Sequence, residues 1–156
     1  MQDILFFFIA DHNVTVVGSD GSYVKPFTRR FIAISPGQPN DVLLEANQSP
    51  NHYYMAVKVY TGTAESVVAF DNTTTAAIVE YCGTYTPSSP PVFPYLLYYN
   101  DTQASVNFAG SLRGLADKEH PIDVPMEINT HLFYALSVNA FPCPNNSCAG
   151  ILFEAC

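Results

Sequence analysis

Turn-forming residues interrupt this chain about every ten positions, and the stretches between them are short, apolar and rich in β-branched and aromatic side chains. That rhythm leaves room for many strands and none for a long helix. Tyr53 to Thr61 carries it most clearly. There Tyr54, Ala56, Lys58 and Tyr60 alternate against Tyr53, Met55, Val57 and Val59, the period of two that puts neighbouring side chains on opposite faces of a strand. Leu5 to Ala10 reads as a buried strand, His12 to Val17 as a second, and Ser19-Asp20-Gly21-Ser22 as the turn after it. Val24 to Phe27 is short and extended, and Pro26 favours a sheet edge because proline donates no ladder hydrogen bond. Arg29 to Ser35 alternates again. Ser35-Pro36-Gly37-Gln38 has proline and glycine where a type II turn needs them, so Asp41 to Ala46 is expected to return as the partner strand.

Further along, Ser66 to Phe70 and Thr75 to Tyr81 are predicted strands separated by the turn-like Asp71-Asn72-Thr73. Thr86 to Pro94 holds Pro87, Pro90, Pro91 and Pro94, which bars it from any sheet or helix interior and makes it a linker or an extended strap. Ser105 to Lys118 has the only helical spacing, through Val106, Phe108, Ala109, Leu112, Leu115 and Ala116, weakened by Gly110 and Gly114. His131 to Val138 is the last predicted strand. Together these imply an antiparallel sandwich or barrel.

Composition narrows the partners. Apolar residues make up 48% and charged residues 13% of 156, which rules out a disordered chain and a solvated helical bundle. Six Lys and Arg against fourteen Asp and Glu leave a net charge of -8, a surface that repels phosphate, so neither nucleic acid nor an anionic membrane is an expected partner. The apolar run Ile4 to Ala10 is too short to span a bilayer, and Asp3 stands where a signal peptide would carry positive charge. Sequons at Asn13, Asn47, Asn72, Asn100 and Asn145 nonetheless suit a glycoprotein of secreted parentage.

A search for chemistry finds little. His12, His52, His120 and His131 are scattered, with no pair at i, i+2 or i, i+4, and each reads as a loop or edge residue; no metal site is expected. A blue-copper centre needs two His, a Cys and a weak axial ligand, yet Cys82 leads into the proline-rich strap. No nucleophile elbow and no glycine-rich phosphate loop occur, and most carboxylates fall in turns, so no catalytic residue is assigned. Cys143 and Cys148 differ from the rest: a four-residue turn can bring them within disulfide range, the alternative being two free thiols, while Cys82 and Cys156 have no forced partner.

These residues resemble a known family. LFFFIADHNVTVV (5–17), YVKPF (23–27), SPGQ (35–38) leading into DVLL (41–44), FDNTT (70–74) running to AIVEY (77–81), and the end of the chain from NDT (100–102) to CPNNSC (143–148) are similar to the middle domain of plant laccases, which are multicopper oxidases. The resemblance covers about residues 4–150 in one register. It implies an all-β, cupredoxin-like (plastocyanin-like) antiparallel Greek-key β-sandwich with one short helix, incomplete at its N-terminus, over residues 1–150, with 151–156 as a tail foreign to the family. In such a protein copper lies in the first and third cupredoxin domains, which would be this chain's partners. The parent would act on phenols such as lignin precursors in the apoplast and reduce dioxygen to water. The middle domain would bind no copper itself. A secreted, non-catalytic binding or accessory glycoprotein is the alternative. Opening strands missing from a sandwich would expose sheet edges, so a groove beside Leu5 to Ala10 or its neighbours is expected.

Overall fold

Strand β1 (Ile4–Ile9) runs through the interior of a four-stranded antiparallel sheet, between β4 (Phe31–Ile34) and β6 (His52–Tyr60), with β7 (Thr74–Glu80) on the far side of β6. This is a computed structural model, describing residues 3–62, 70–122, 125 and 127–134. A second antiparallel sheet has β2 (Val14–Ser19) at its centre, flanked by β3 (Ser22–Arg29) and β5 (Asn40–Leu44). The only helix among the described residues is α1 (Thr102–Ala109). All of these lie in the first of two units, Met1–Pro121. In the second, Ile122–Cys156, the described residues form neither strand nor helix. Residues 131–134 of the predicted last strand are therefore not in a strand, and the rest of it lies outside the described residues. So do Ser66 to Ala69, most of another predicted strand.

The architecture is the expected all-β one. Apolar alternation puts Phe6 and Phe8 of β1 on the face opposite Val14 and Val16 of β2, and these four join Val24, Ile32 and Phe108 in one buried cluster. Phe6 is fully buried, with its ring 5.3 Å from that of Phe31 and 5.1 Å from that of Tyr60. The Ser19–Ser22 turn forms as predicted: Asp20 and Gly21 have φ of 51° and 74°, the left-handed pair that joins β2 tightly to β3. Pro26 lies on an edge strand, as its missing N–H requires.

Two further expectations need correcting. The turn at Ser35 to Gln38 exists, with Gly37 at φ 76° and Gln38 N–H donating to the Ser35 carbonyl at 3.0 Å, but it is not a hairpin. β4 pairs with β1, whereas β5 pairs with β2 in the other sheet. The chain crosses between sheets there because Val42 of β5 packs on the shared core. Gly18 permits that pairing, since a Cβ on it would stand 2.6 Å from Asp41 Oδ2.

The helix, expected over Ser105 to Lys118, starts earlier and stops sooner. Asp101 caps it by accepting from Ala104 N–H at 2.9 Å. Beyond Gly110 the chain tightens, with Ser111 N–H donating to the Phe108 carbonyl at 2.9 Å. Tertiary pairing ends the helix: Lys25 N–H donates to the Arg113 carbonyl at 2.8 Å, and Gly114 bridges to Val24. Residues needed on the edge of β3 cannot also continue a helix. Phe108, the helix's buried residue, wedges between Phe27 and Phe31 with ring separations of 5.6 and 6.0 Å, closing the gap between the two sheets.

Phe108→Ala should cost about 3–5 kcal/mol, the cost of a buried aromatic truncation. Denaturant unfolding should show a lower midpoint at unchanged slope.

Candidate functional site

The corner between β1 and β2 carries a buried polar network. Ala10, Asp11, His12 and Asn13 make the corner, and Asp11 adopts φ 58° to turn it. The sequence reads His12 as a loop or edge residue; it does lie in the connection, but it is only 3% exposed. Its Nδ1 lies 2.6 Å from the Ala10 carbonyl and its Nε2 2.7 Å from the Tyr81 hydroxyl. The consistent assignment has Nδ1–H donating to Ala10 and Nε2 accepting from Tyr81, whose oxygen accepts from Gln48 N–H at 3.2 Å. Tyr53 stands edge-on to the imidazole at 4.9 Å and donates its hydroxyl to the Ser49 carbonyl at 2.7 Å. Tyr85 donates to the Tyr81 carbonyl at 2.5 Å.

This network ties β1, β6 and the segment after β7 together. The strap helps: Tyr54 N–H donates to the Val92 carbonyl at 2.8 Å and Val92 N–H to the His52 carbonyl at 3.2 Å. Val92 thus continues the ladder on β6 where β1 has turned away. Burial holds the Tyr53 hydroxyl above the ordinary tyrosine range, helped by Tyr81 and the Asp11 carboxylate. Burial likewise raises Tyr85, near Glu80.

Beside the network opens a cavity of about 490 Å³, with Phe8, Phe31 and Leu97 among its apolar walls and Asp11, Arg29 and Arg30 among its polar groups. A smaller one of about 260 Å³ lies along Leu5, Val57 and Val59. Both flank β1, where a groove is expected from the sequence. Arg29 is occupied, donating to Ser111 Oγ at 2.8 Å and lying over the Phe27 ring.

The other histidines have surroundings of their own. His52 Nε2 lies 3.4 Å from Glu80 Oε1, His120 pairs locally with Asp117 at 3.2 Å, and His131 is exposed. Asn13, Asn47, Asn72 and Asn100 are at least partly accessible, as glycan acceptors must be, and Cys82 is exposed with no disulfide partner among the described residues. Asn145, Cys143, Cys148 and Cys156 lie outside the described residues. The tyrosine cage escapes sequence reasoning because His12 and Tyr81 stand 69 residues apart, with no local motif to join them. No helix among the described residues is long and apolar enough to cross a membrane.

The multicopper oxidase model matches residues 1–84, more than half of the chain. Laccase-14 of Arabidopsis thaliana is 44% identical over 151 residues, covering 96% of this chain and 26% of its own length. Laccase-3 of Oryza sativa subsp. japonica is 44% identical over 94% of this chain and 26% of its own. The chain belongs to the multicopper oxidase family, among its laccases. It spans about a quarter of the length of the relatives it matches. Superposition on the laccase from B.aclada covers 56% of this chain and 16% of that one, with a TM-score of 0.43 at 23% identity, too partial a match to add to the assignment.

That family implies copper in the full-length protein. The described residues do not fit it. Among them no three His, Cys, Asp or Glu side chains come together, and both ring nitrogens of His12 are already engaged.

Tyr81→Phe leaves His12 Nε2 and Gln48 N–H without their partner and should cost about 1–3 kcal/mol, measured by denaturant unfolding. Tyr53 supplies a pH test. Its folded-state pKa is raised, so its contribution is complete below the ordinary value near 10 and is lost as pH rises through the higher folded value. Stability should fall above about pH 10, and Tyr53→Phe should flatten the fall when unfolding is followed across alkaline pH.

Proposed function

We propose that this chain is the copper-free structural middle domain of a laccase, occupying about residues 1–150, with 151–156 outside the family pattern. The match to laccases across nearly the whole chain, at 44% identity, carries the reading. In the full protein the first and third cupredoxin domains hold the coppers, and phenol oxidation is coupled there to reduction of dioxygen to water. This domain spaces the other two, and its buried Tyr–His network holds one corner of the spacer rigid. A secreted, apoplastic glycoprotein follows from the same reading, with glycans on Asn13, Asn47, Asn72, Asn100 and Asn145 and a disulfide between Cys143 and Cys148.

The test is metal content and turnover. The purified chain, incubated with copper(II) and desalted, should retain no stoichiometric copper, show no blue absorption, and consume no oxygen with a phenolic substrate. Oxygen uptake above a copper-only control, abolished by His12→Ala or His131→Ala, would overturn the reading.

A further inference from the structure

Ten tyrosines occur in this chain, and a phenol yields an electron far more readily when its proton can leave at the same time. Where each hydroxyl points therefore decides which ring can be oxidised. Tyr53 donates to the Ser49 carbonyl, Tyr85 to the Tyr81 carbonyl and Tyr60 to Thr102 Oγ1. Carbonyl and hydroxyl oxygens accept hydrogen bonds but do not hold a proton in neutral water. Tyr81 differs. It is the one tyrosine among the described residues whose hydroxyl meets an imidazole, 2.7 Å from His12 Nε2, and imidazole is the side chain that exchanges a proton near neutral pH.

The pair is hydrogen-bonded on both sides of such a transfer. Before it, Nδ1–H donates to the Ala10 carbonyl at 2.6 Å, Nε2 accepts from Tyr81, and the Tyr81 oxygen accepts from Gln48 N–H at 3.2 Å. After it, the imidazolium donates from both nitrogens, to Ala10 and to the Tyr81 oxygen, and that oxygen accepts from Nε2–H and from Gln48 N–H. No buried donor loses its partner, so the transfer carries no orphaned-group penalty. Asp11, the next residue in the chain, lines the same cavity as His12 and brings negative charge to the imidazolium's side. Tyr53, itself buried, packs on both members, its ring 4.9 Å from the imidazole and 5.6 Å from the Tyr81 ring.

We propose that Tyr81 is a redox-active tyrosine with His12 as its proton acceptor. One electron passes from the Tyr81 ring to an outer-sphere one-electron oxidant, the Tyr81 O–H bond breaks, and its proton forms an N–H bond at His12 Nε2. The products are a neutral tyrosyl radical, an imidazolium and the reduced oxidant. Returning the electron returns the proton across the same hydrogen bond, so the corner stores an oxidising equivalent reversibly. Both members lie within this chain, and the proposal is independent of the domain's place in a larger protein.

Laser photolysis of the intact 156-residue chain tests this, with tris(bipyridine)ruthenium(II) and a cobalt(III) ammine quencher generating ruthenium(III) as the oxidant. Freeze-quenched samples are read by electron paramagnetic resonance. The unaltered chain should give a neutral tyrosyl signal coupled to an exchangeable proton, formed more slowly in D2O. Tyr81→Phe should lose most of that signal, whereas Tyr23→Phe, at a highly exposed position, should keep it. His12→Gln leaves Tyr81 an acceptor but no base, and should slow radical formation about a hundredfold, the low end of what a positioned base contributes. Circular dichroism confirms the fold of each variant. Should His12→Gln fail to fold, the exchangeable coupling and the D2O effect in the unaltered chain decide. Absence of a radical, a signal that survives Tyr81→Phe, or formation indifferent to D2O overturns the proposal, as does a folded His12→Gln that reacts at the unaltered rate.

Discussion

The burial of Phe6 is the contact on which the rest of this fold depends. Phe6 sits on an interior strand of the larger sheet, touches rings from β4 and β6, and faces the valines of β2 across the interlayer space. A strand paired along both edges and packed on the core can only be satisfied once its neighbours are in place. β1 thereby sets the position of both sheets, and the cavities that open beside it mark where its covering is incomplete. Helix α1 responds to the same demand: Phe108 fills the opening between edge strands from different sheets.

Local chemistry made much of this legible from sequence. The alternation in β6, the left-handed Asp20-Gly21 turn and the edge placement of Pro26 each follow from rules acting over a few residues. Long-range competition decided what was misread. Proline and glycine at Ser35 to Gln38 specify a turn, but not which sheet receives the next strand; packing of Val42 on the common core decided that. Helical spacing past Gly110 was real in the sequence, but it lost to the pairing of Arg113 and Gly114 with the edge of β3.

The polar corner was harder to read for a related reason. A histidine after an apolar run carries no sign that a tyrosine from a distant segment will meet it. What the sequence did disclose was the scatter of its histidines, and the described geometry pairs each of His12, His52 and His120 with a different neighbour. Membership of a copper-using family and histidines that share no common neighbour are compatible because the relatives are about four times as long.

The repeated crossing from one sheet to the other has a consequence for how the molecule reaches this state. β2 and β3 meet as a tight local hairpin, yet β1 must find β4 and β6 while β2 finds β5, each across intervening chain already committed to the opposite layer. Closing such loops costs entropy before any contact repays it, so assembly is governed by distant encounters more than by zippering of neighbours. A chain dominated by such non-local pairings folds slowly for its size. During that interval its apolar strands are open to one another and to other chains, the period in which misassembly competes with folding.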